Sequence, residues 1–295
     1  MAYFLCILSD GTTSIWEVER RHARKLSGGT YLSQFDAPSG QTVWDVMRAQ
    51  ASAWFEPPGF QPFHRIELGP GQFYPFIARP DAGGPADHSW CPSEHLAPDV
   101  LARSHGQLIA LTRQLGEICQ TAHPTRENFK VFGHEIRNLL ILACTEVEAH
   151  WATVMRANGV TKHNLTRKDY HRLATPMGLR DFAVSFPRYP WMPSIRPFAG
   201  WGVRGRLRWY EAYNSAKHDR EAAFHEATLL HAITAVVACA VMVEAQFGTH
   251  RALLHGSELR TFFAFERRPS WTPAKSYLPP HGRGWSAINE PALRR

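Results

Sequence analysis

The segment "PTRENFKVFGHEIRNLLILACTEVEAHWATVMRANG", residues 124–159, carries the longest helical pattern in the chain. It opens with Pro124 and Thr125, which suit the start of a helix, and it closes with Asn158 and Gly159, which suit its end. Further apolar residues widen its main face, so we expect other helices to enclose this one on several sides. The main apolar face consists of Phe132, Ile136, Leu139, Leu140, Ala143, Val147 and Val154.

Three more segments have helical spacing, and together they predict a bundle over residues 100–250. They cover residues 99–120, 207–217 and 220–248. The last one contains "AITAVVACAVMV", which is shorter than the about 20 residues that a membrane span requires. We therefore predict a buried core helix there and no contact with a membrane.

The ends of the chain have a different pattern. Within residues 1–81, "YFLCIL" and "TSIWEVE" flank the turn signal "SDGT", which predicts a hairpin in a small α+β module. Residues 82–99 are rich in helix breakers and predict a linker, and residues 251–295 predict a tail with one strand. The predicted fold class is therefore mainly α, a helical bundle preceded by a small α+β module.

One long loop interrupts the bundle pattern. "FPRYPWMPSIRPFAGWG", residues 186–202, combines prolines with large aromatic residues. Long loops of this kind are commonly held by their own side chains. We expect the segment to pack across the bundle through Trp191, Phe198 and Trp201.

Composition bounds the classes of function. Lys plus Arg number 33 against 26 for Asp plus Glu, and the resulting net charge of +7 permits contact with nucleic acid. The five cysteines contain no CxxC pair, which favours reduced thiols in a cytoplasmic protein. The 16 histidines contain no HExxH motif, and no Walker or GxGxxG pattern is present, so we predict neither a metal site nor a cofactor.

The polar residues that stand out occur in "LRWYEAYNSAKHDREAAF", residues 207–224. Asn214 and His218 are four residues apart, so one helix would present them on the same face. Lys217 lies beside them, and Asp219 could cap the following helix. On the preceding long helix Arg137 and Glu148 share a flank but are three turns apart, so each requires a partner elsewhere.

The string "YNSAKH", following a helix that bears "EIRNLLILACTEVE", resembles the HEPN superfamily of helical-bundle domains. Its members carry an Arg, a polar residue, three further residues and a His near the start or junction of their last long helix. The resemblance covers about residues 101–248. Asn214 matches the polar position and His218 the histidine, whereas Tyr213 occupies the position of the arginine. The wider pattern, with "WYEAYN", "KHDRE" and "PWMP", also resembles a set of uncharacterised bacterial proteins.

The resemblance implies one of two functions. In active HEPN members the Arg and His cleave RNA without a metal, usually across a homodimer. By that analogy His218 would be the general acid or base and Asn214 would orient it. Arg137 or Arg208 could substitute for the missing arginine, and Arg137 or Lys217 would stabilise the phosphate charge.

The other function is a non-catalytic module that binds RNA or a protein partner, in bacterial stress or phage defence. The binding residues would then be Lys217, Tyr213, Arg208 and Asp219. A third interpretation needs no ligand, because Tyr hydroxyls, the Asn amide and the imidazole can satisfy one another and fix the register of the helices.

Overall fold

The computed structural model describes residues 1–27, 34–85, 88–202, 206–218, 222–253, 257–281 and 284–294. Helices account for 44% and strands for 16%, and a five-stranded antiparallel sheet precedes the helices. The prediction of a mainly α protein was therefore wrong, and the fold is mixed α+β. The sequence analysis missed the strand at residues 22–27, because its sequence HARKLS lacks the β-branched and aromatic residues typical of strands, and the strand at residues 34–36 that pairs with it.

The bounds of the elements are as follows. The helices are α1 Val43–Gln50, α2 Ser93–Leu96, α3 Pro98–Thr121, α4 His134–Ala157, α5 Arg167–Tyr170, α6 Arg208–His218, α7 Leu229–Phe247 and α8 Leu259–Phe262. The strands are β1 Ala2–Ile7, β2 Thr13–Val18, β3 His22–Ser27, β4 Gln34–Asp36, β5 Phe63–Arg65, β6 Gln72–Phe73, β7 Arg79–Pro80, β8 Ser89–Trp90, β9 Ala183–Ser185, β10 Ala264–Arg267 and β11 Ser286–Ala287.

The chain forms two compact units, and neither is continuous in sequence. Unit 1 comprises Met1–Phe73, Arg79–Trp90 and Ser270–Ala287. Unit 2 comprises Tyr74–Ala78, Cys91–Pro269 and Ile288–Arg295. The segments predicted as linker and tail thus contribute to both units.

Unit 1 is built on an antiparallel sheet with the strand order β4-β3-β2-β1-β5. β1 and β2 pair from Ala2 opposite Val18 to Ile7 opposite Thr13, which confirms the predicted hairpin. α1 begins at a capping box in which Thr42 and Asp45 satisfy each other's backbone N–H groups. The apolar face of this helix and one face of the sheet enclose Trp16, which is fully buried.

Unit 2 has its core between α4 and α7, which make the most extensive contact between helices, and α3 and α6 pack beside them. α6 starts and ends within one residue of its predicted bounds. α4 ends at Ala157 as predicted but begins at His134, ten residues after Pro124. The extended backbone of Gly133 separates it from a 3₁₀ turn at Asn128–Lys130.

α7 is the most apolar helix of the protein. In the part of the chain that the structure describes, it is the one helix long and apolar enough to cross a membrane by length and composition. However, 83% of its most apolar window is buried inside the protein, which is typical of a core helix. Its start at Leu229, later than predicted, is set by the Thr228 side chain, which accepts from the N–H of His231.

The aromatic loop covers the core only in part as predicted. Phe198 and Trp201 are buried, and the Trp201 ring lies 4.8 Å from that of Trp151 on α4. Trp191, however, remains 51% exposed and donates to the carbonyl of Pro124. Trp191 therefore packs only in part, with its ring 5.0 Å from that of His123 just after α3.

Asn158, directly after α4, connects distant parts of unit 2. Its side chain is fully buried, and its Nδ2 donates to the carbonyls of Pro75 at 2.9 Å and Val154 at 2.8 Å. Its Oδ1 accepts from the N–H of Glu290 at 3.0 Å. One amide therefore satisfies backbone groups from three segments of the chain.

Candidate functional site

The predicted polar cluster lies on α6. Asn214 and His218 belong to this one helix, as the sequence predicted. At the C-terminal end of the helix Lys217 and His218 are both exposed. Its other face forms part of the core because apolar and aromatic residues recur three and four apart: Trp209, Ala212, Tyr213 and Ala216 are all buried.

Glu148 of α4 is the centre of the cluster. The hydroxyl of Tyr210 donates to its Oε1 at 2.5 Å, and the hydroxyl of Tyr213 donates to its Oε2 at 3.2 Å. Burial, followed by the hydrogen bond and the charge of Glu148, raises the pKa of Tyr210 far above its ordinary value. At neutral pH Tyr210 is therefore a neutral donor to the carboxylate.

Lys217 extends this network to the surface. Its Nζ donates to the hydroxyl of Tyr213 at 3.0 Å and lies 5.1 Å from the centroid of the same ring. The hydrogen bond to Tyr213, then the charges of Tyr213 and Glu148, raise the pKa of Lys217. A continuous chain of donors thus runs from Lys217 through Tyr213 to the carboxylate of Glu148.

Asn214 does not take part in this chain. Its Nδ2 donates to the carbonyl of Tyr210, four residues earlier on the same helix, at 2.9 Å. Side chains of this kind often bond back to their own helix in this way. The amide donor is therefore engaged within α6, and no hydrogen bond joins it to His218 among the described residues.

Arg137 reaches the end of α6 that carries His218. Its Nη2 donates to the carbonyl of Ala216 at 2.9 Å, satisfying a helix-terminal group that has no partner within the helix. Its Nε is buried and has no hydrogen-bond partner in the described part of the chain. The guanidinium predicted to stand in for the missing arginine therefore lies near His218, where it binds a carbonyl.

The other predicted residues are not brought together. Arg208 is exposed at the opposite end of α6, ten residues from His218, which places the two Cα atoms about 15 Å apart. The imidazole of His218 is exposed, and no described side chain pairs with it. Asp219 lies outside the described residues.

Three rings, of which Phe132 and His134 are exposed and Phe224 is partly buried, lie beside the C-terminal end of α6, which packs against the 3₁₀ turn Phe224–Glu226. The ring of Phe132 meets that of Phe224 edge-on at 5.7 Å, and the ring of His134 lies 4.9 Å from Phe224. Phe132 is 48% exposed, so its predicted place on the buried face of the long helix was wrong. We call the surface formed by these rings and the neighbouring cations the basic–aromatic face: Phe132, His134, Arg137, Lys217, His218 and Phe224.

Sequence reasoning missed two parts of this site. It left the partner of Glu148 unidentified, elsewhere in the protein or in solvent, whereas two tyrosines of α6 are its partners. It also assigned Phe132 to a helix interior, although Gly133 directly after it is a signal that the helix starts later. The partner of Glu148 and the position of Phe132 both depend on which segments of the chain pack together. The apolar spacing within one helix does not reveal this.

A metal site with three protein ligands needs three His, Cys, Asp or Glu side chains close together. The described residues contain no such group. Comparison of the chain with models of known protein families, with curated proteins and with solved structures gave no match.

Proposed function

We propose that unit 2 is a HEPN-like, non-catalytic module that binds single-stranded RNA through the basic–aromatic face. The observation that carries this proposal is the half-exposed ring of Phe132, which meets the partly buried ring of Phe224 beside the C-terminal end of α6. Rings of Phe132 and Phe224 offer stacking surfaces that any base can use, while Lys217 and Arg137 offer charge to the phosphates. The net charge of +7 favours the same kind of ligand.

The network around Glu148 supports a binding role over a catalytic one. RNA cleavage requires a preorganised donor for the developing phosphate charge. Tyr213 stands where HEPN enzymes have their arginine, and its hydroxyl is already shared between Glu148 and Lys217. Asn214, which would orient His218, bonds to its own helix instead.

The test is the binding of a fluorescently labelled single-stranded oligoribonucleotide, followed by anisotropy at several salt concentrations. Phe132→Ala should weaken binding by about 1–3 kcal/mol, the contribution of one stacked base. Lys217→Gln should lower the slope of log K against log salt by about 0.7, the value for one phosphate contact on a single strand. Lys168→Gln is the matched control, since Lys168 is an exposed lysine outside the face.

Absence of RNA binding by the wild type would overturn the proposal. An equal effect of Lys217→Gln and Lys168→Gln would also overturn it, because the binding would then follow total charge. In the first case a protein partner becomes the remaining ligand class for this surface. A cytoplasmic location, a homodimer and a role in bacterial stress or phage defence belong to the same proposal; the location rests on the cysteine usage and the other two on the resemblance.

A metal-independent ribonuclease is the second candidate, favoured by the position of Arg137 at the end of α6 that bears His218. In that case wild-type protein should cleave RNA and arrest growth with EDTA present, and His218→Ala should abolish both effects. Equal and absent activity in the two proteins removes this candidate and leaves the binding proposal untouched.

A further inference from the structure

A second polar site lies in unit 2 and shares no residue with the basic–aromatic face. It is a cleft of about 520 Å³ between α3 and α4, lined by polar side chains of both helices, including Ser104, Gln107, Glu146 and His150. His150 is only 4% exposed, and its Nε2 has no hydrogen-bond partner among the described residues. A buried ring nitrogen without a partner, on the wall of a cleft, indicates a ligand position.

The protonation of His150 follows from its contacts with Gln246 of α7. The Nε2 of Gln246 donates to the backbone carbonyl of His150 at 3.3 Å, which leaves Oε1 of the same amide facing the ring nitrogen Nδ1 at 2.9 Å. Because Oε1 can only accept, Nδ1 carries the hydrogen. The lone pair is therefore on Nε2, the atom without a partner.

Glu146 precedes His150 by one helical turn, and its Oε1 lies 3.4 Å from the Nε2 of His150. A hydrogen bond sharing one proton between these atoms would bring them to about 2.7–3.2 Å. A water or an ammonium group donating to both would hold them roughly 4.5 Å apart, since its two N–H or O–H directions diverge by the tetrahedral angle. The observed 3.4 Å lies just beyond the first range and well short of the second distance.

The separation does fit a metal ion. Two atoms bound at about 2.0–2.1 Å to a tetrahedral ion lie about 3.3–3.4 Å from each other. Histidine ligands of metals also donate their second ring N–H to a neighbouring oxygen, as His150 does to Gln246. We propose that Glu146 and His150 bind a divalent ion of the Zn²⁺ class in this cleft, with Gln246 as the positioning residue for the imidazole.

The two side chains would occupy two positions of such an ion and leave the others to water or to a ligand in the cleft. The affinity would be modest with two protein ligands. Imidazole and carboxylate together suit Zn²⁺ and Co²⁺ more than Mg²⁺ or Ca²⁺, which prefer oxygen alone.

The experiment is a titration of the full chain, stripped of metal, with Zn²⁺ in a calorimeter and with Co²⁺ in a visible spectrometer. Wild type should bind one ion more tightly than the background from exposed histidines, and Co²⁺ should show tetrahedral absorption. Glu146→Gln keeps the shape of the side chain and should weaken this binding by at least about tenfold. Glu117→Gln on α3, an exposed position outside this cleft, makes the same charge change and should leave the affinity unaltered.

A second measurement uses only the wild type and so does not depend on the folding of a variant. NMR of the histidine ring nitrogens should show His150 protonated on Nδ1, and Zn²⁺ should shift its Nε2 signal before those of the exposed histidines. Binding that is equal in the two glutamate variants, or a His150 signal that Zn²⁺ leaves unchanged, would overturn the proposal.

Discussion

The hydroxyl of Tyr210 on α6 donates to Oε1 of Glu148 on α4 at 2.5 Å. This short bond joins the two helices at a partly buried position, and the second carboxylate oxygen accepts from Tyr213. Both oxygens of one charge are thereby satisfied by neutral donors from the neighbouring helix. Replacement of Glu148 alone by an apolar residue would leave both tyrosine hydroxyls without this acceptor.

Tyr210→Phe should lower the free energy of unfolding by about 1.5–3 kcal/mol, because it removes a hydrogen bond to a charged acceptor. Tyr213→Phe should cost less, since its bond to Glu148 is longer, at 3.2 Å. Urea unfolding of both variants, and of each combined with Glu148→Gln, measures the coupling. Additive effects of Tyr210→Phe and Glu148→Gln would contradict the pairing.

Asn214→Ala should change stability by no more than about 0.5 kcal/mol. Among the described residues the Asn214 amide bonds to its own helix alone, and alanine has the higher helix propensity. Thermal unfolding of this variant beside wild type checks the expectation. A loss of several kcal/mol would mean that Asn214 holds other segments together.

Asp169 should make the free energy of unfolding depend on pH in the acid range. Hydrogen bonds from Lys162, then Thr166, hold the pKa of its carboxyl far below the ordinary value, so its charged form stabilises the folded state. A carboxyl with a lowered folded pKa contributes stability above its unfolded pKa of about 3.9, and loses it as the pH falls. Asp169→Asn should therefore cost up to about 1 kcal/mol at neutral pH, because it removes the charge that pairs with Lys162 but keeps an oxygen that can accept from Thr166.

The difference between Asp169→Asn and wild type should shrink as the pH falls below about 5. Free energies of unfolding from urea titrations between neutral and acid pH give this profile. A difference that stays constant over that range would show that the charge of Asp169 does not matter.

Gly159 follows α4 with φ of +82°, and a Cβ at this position would lie 2.5 Å from Nδ2 of Asn289. Gly159→Ala should destabilise by at least about 1–2 kcal/mol, because it adds the strain of a left-handed backbone to a clash. Gly106→Ala is the control: Gly106 lies within α3, and its added Cβ would meet nothing within 4 Å. That substitution should stabilise by up to about 1 kcal/mol. If both substitutions changed the free energy of unfolding in the same direction, the expectation would be refuted.

Periodicity predicted elements that depend on one segment alone. α6 was found within one residue, and the stop at Asn158 and Gly159 was read correctly from the residue types. The starts of α4 and α7 were placed too early because apolar spacing continues through 3₁₀ turns such as Phe224–Glu226. Apolar residues recur at nearly the same spacing in a 3₁₀ turn as in an α-helix, so in the sequence only the capping residues distinguish the two.

Pairing between distant segments could not be predicted in this way. β10 pairs with β9, about 80 residues earlier along the chain, and β11 pairs with β6. The partner of Glu148 likewise depends on which helix packs against its flank. A hydrophobic pattern tells which face is buried but leaves open which neighbour covers it.

The side chain of Asn158 contacts the carbonyl of Pro75, 83 residues before it, and the N–H of Glu290, 132 residues after it. No single stretch of gene therefore encodes unit 2, and the same holds for unit 1, whose segments alternate with it. A fragment covering only Cys91–Pro269 would leave the amide of Asn158 buried with its outside partners missing. A recombination event that transferred the whole coding sequence of one unit would also transfer coding sequence of the other, because their segments alternate along the gene. The two units are therefore expected to evolve together.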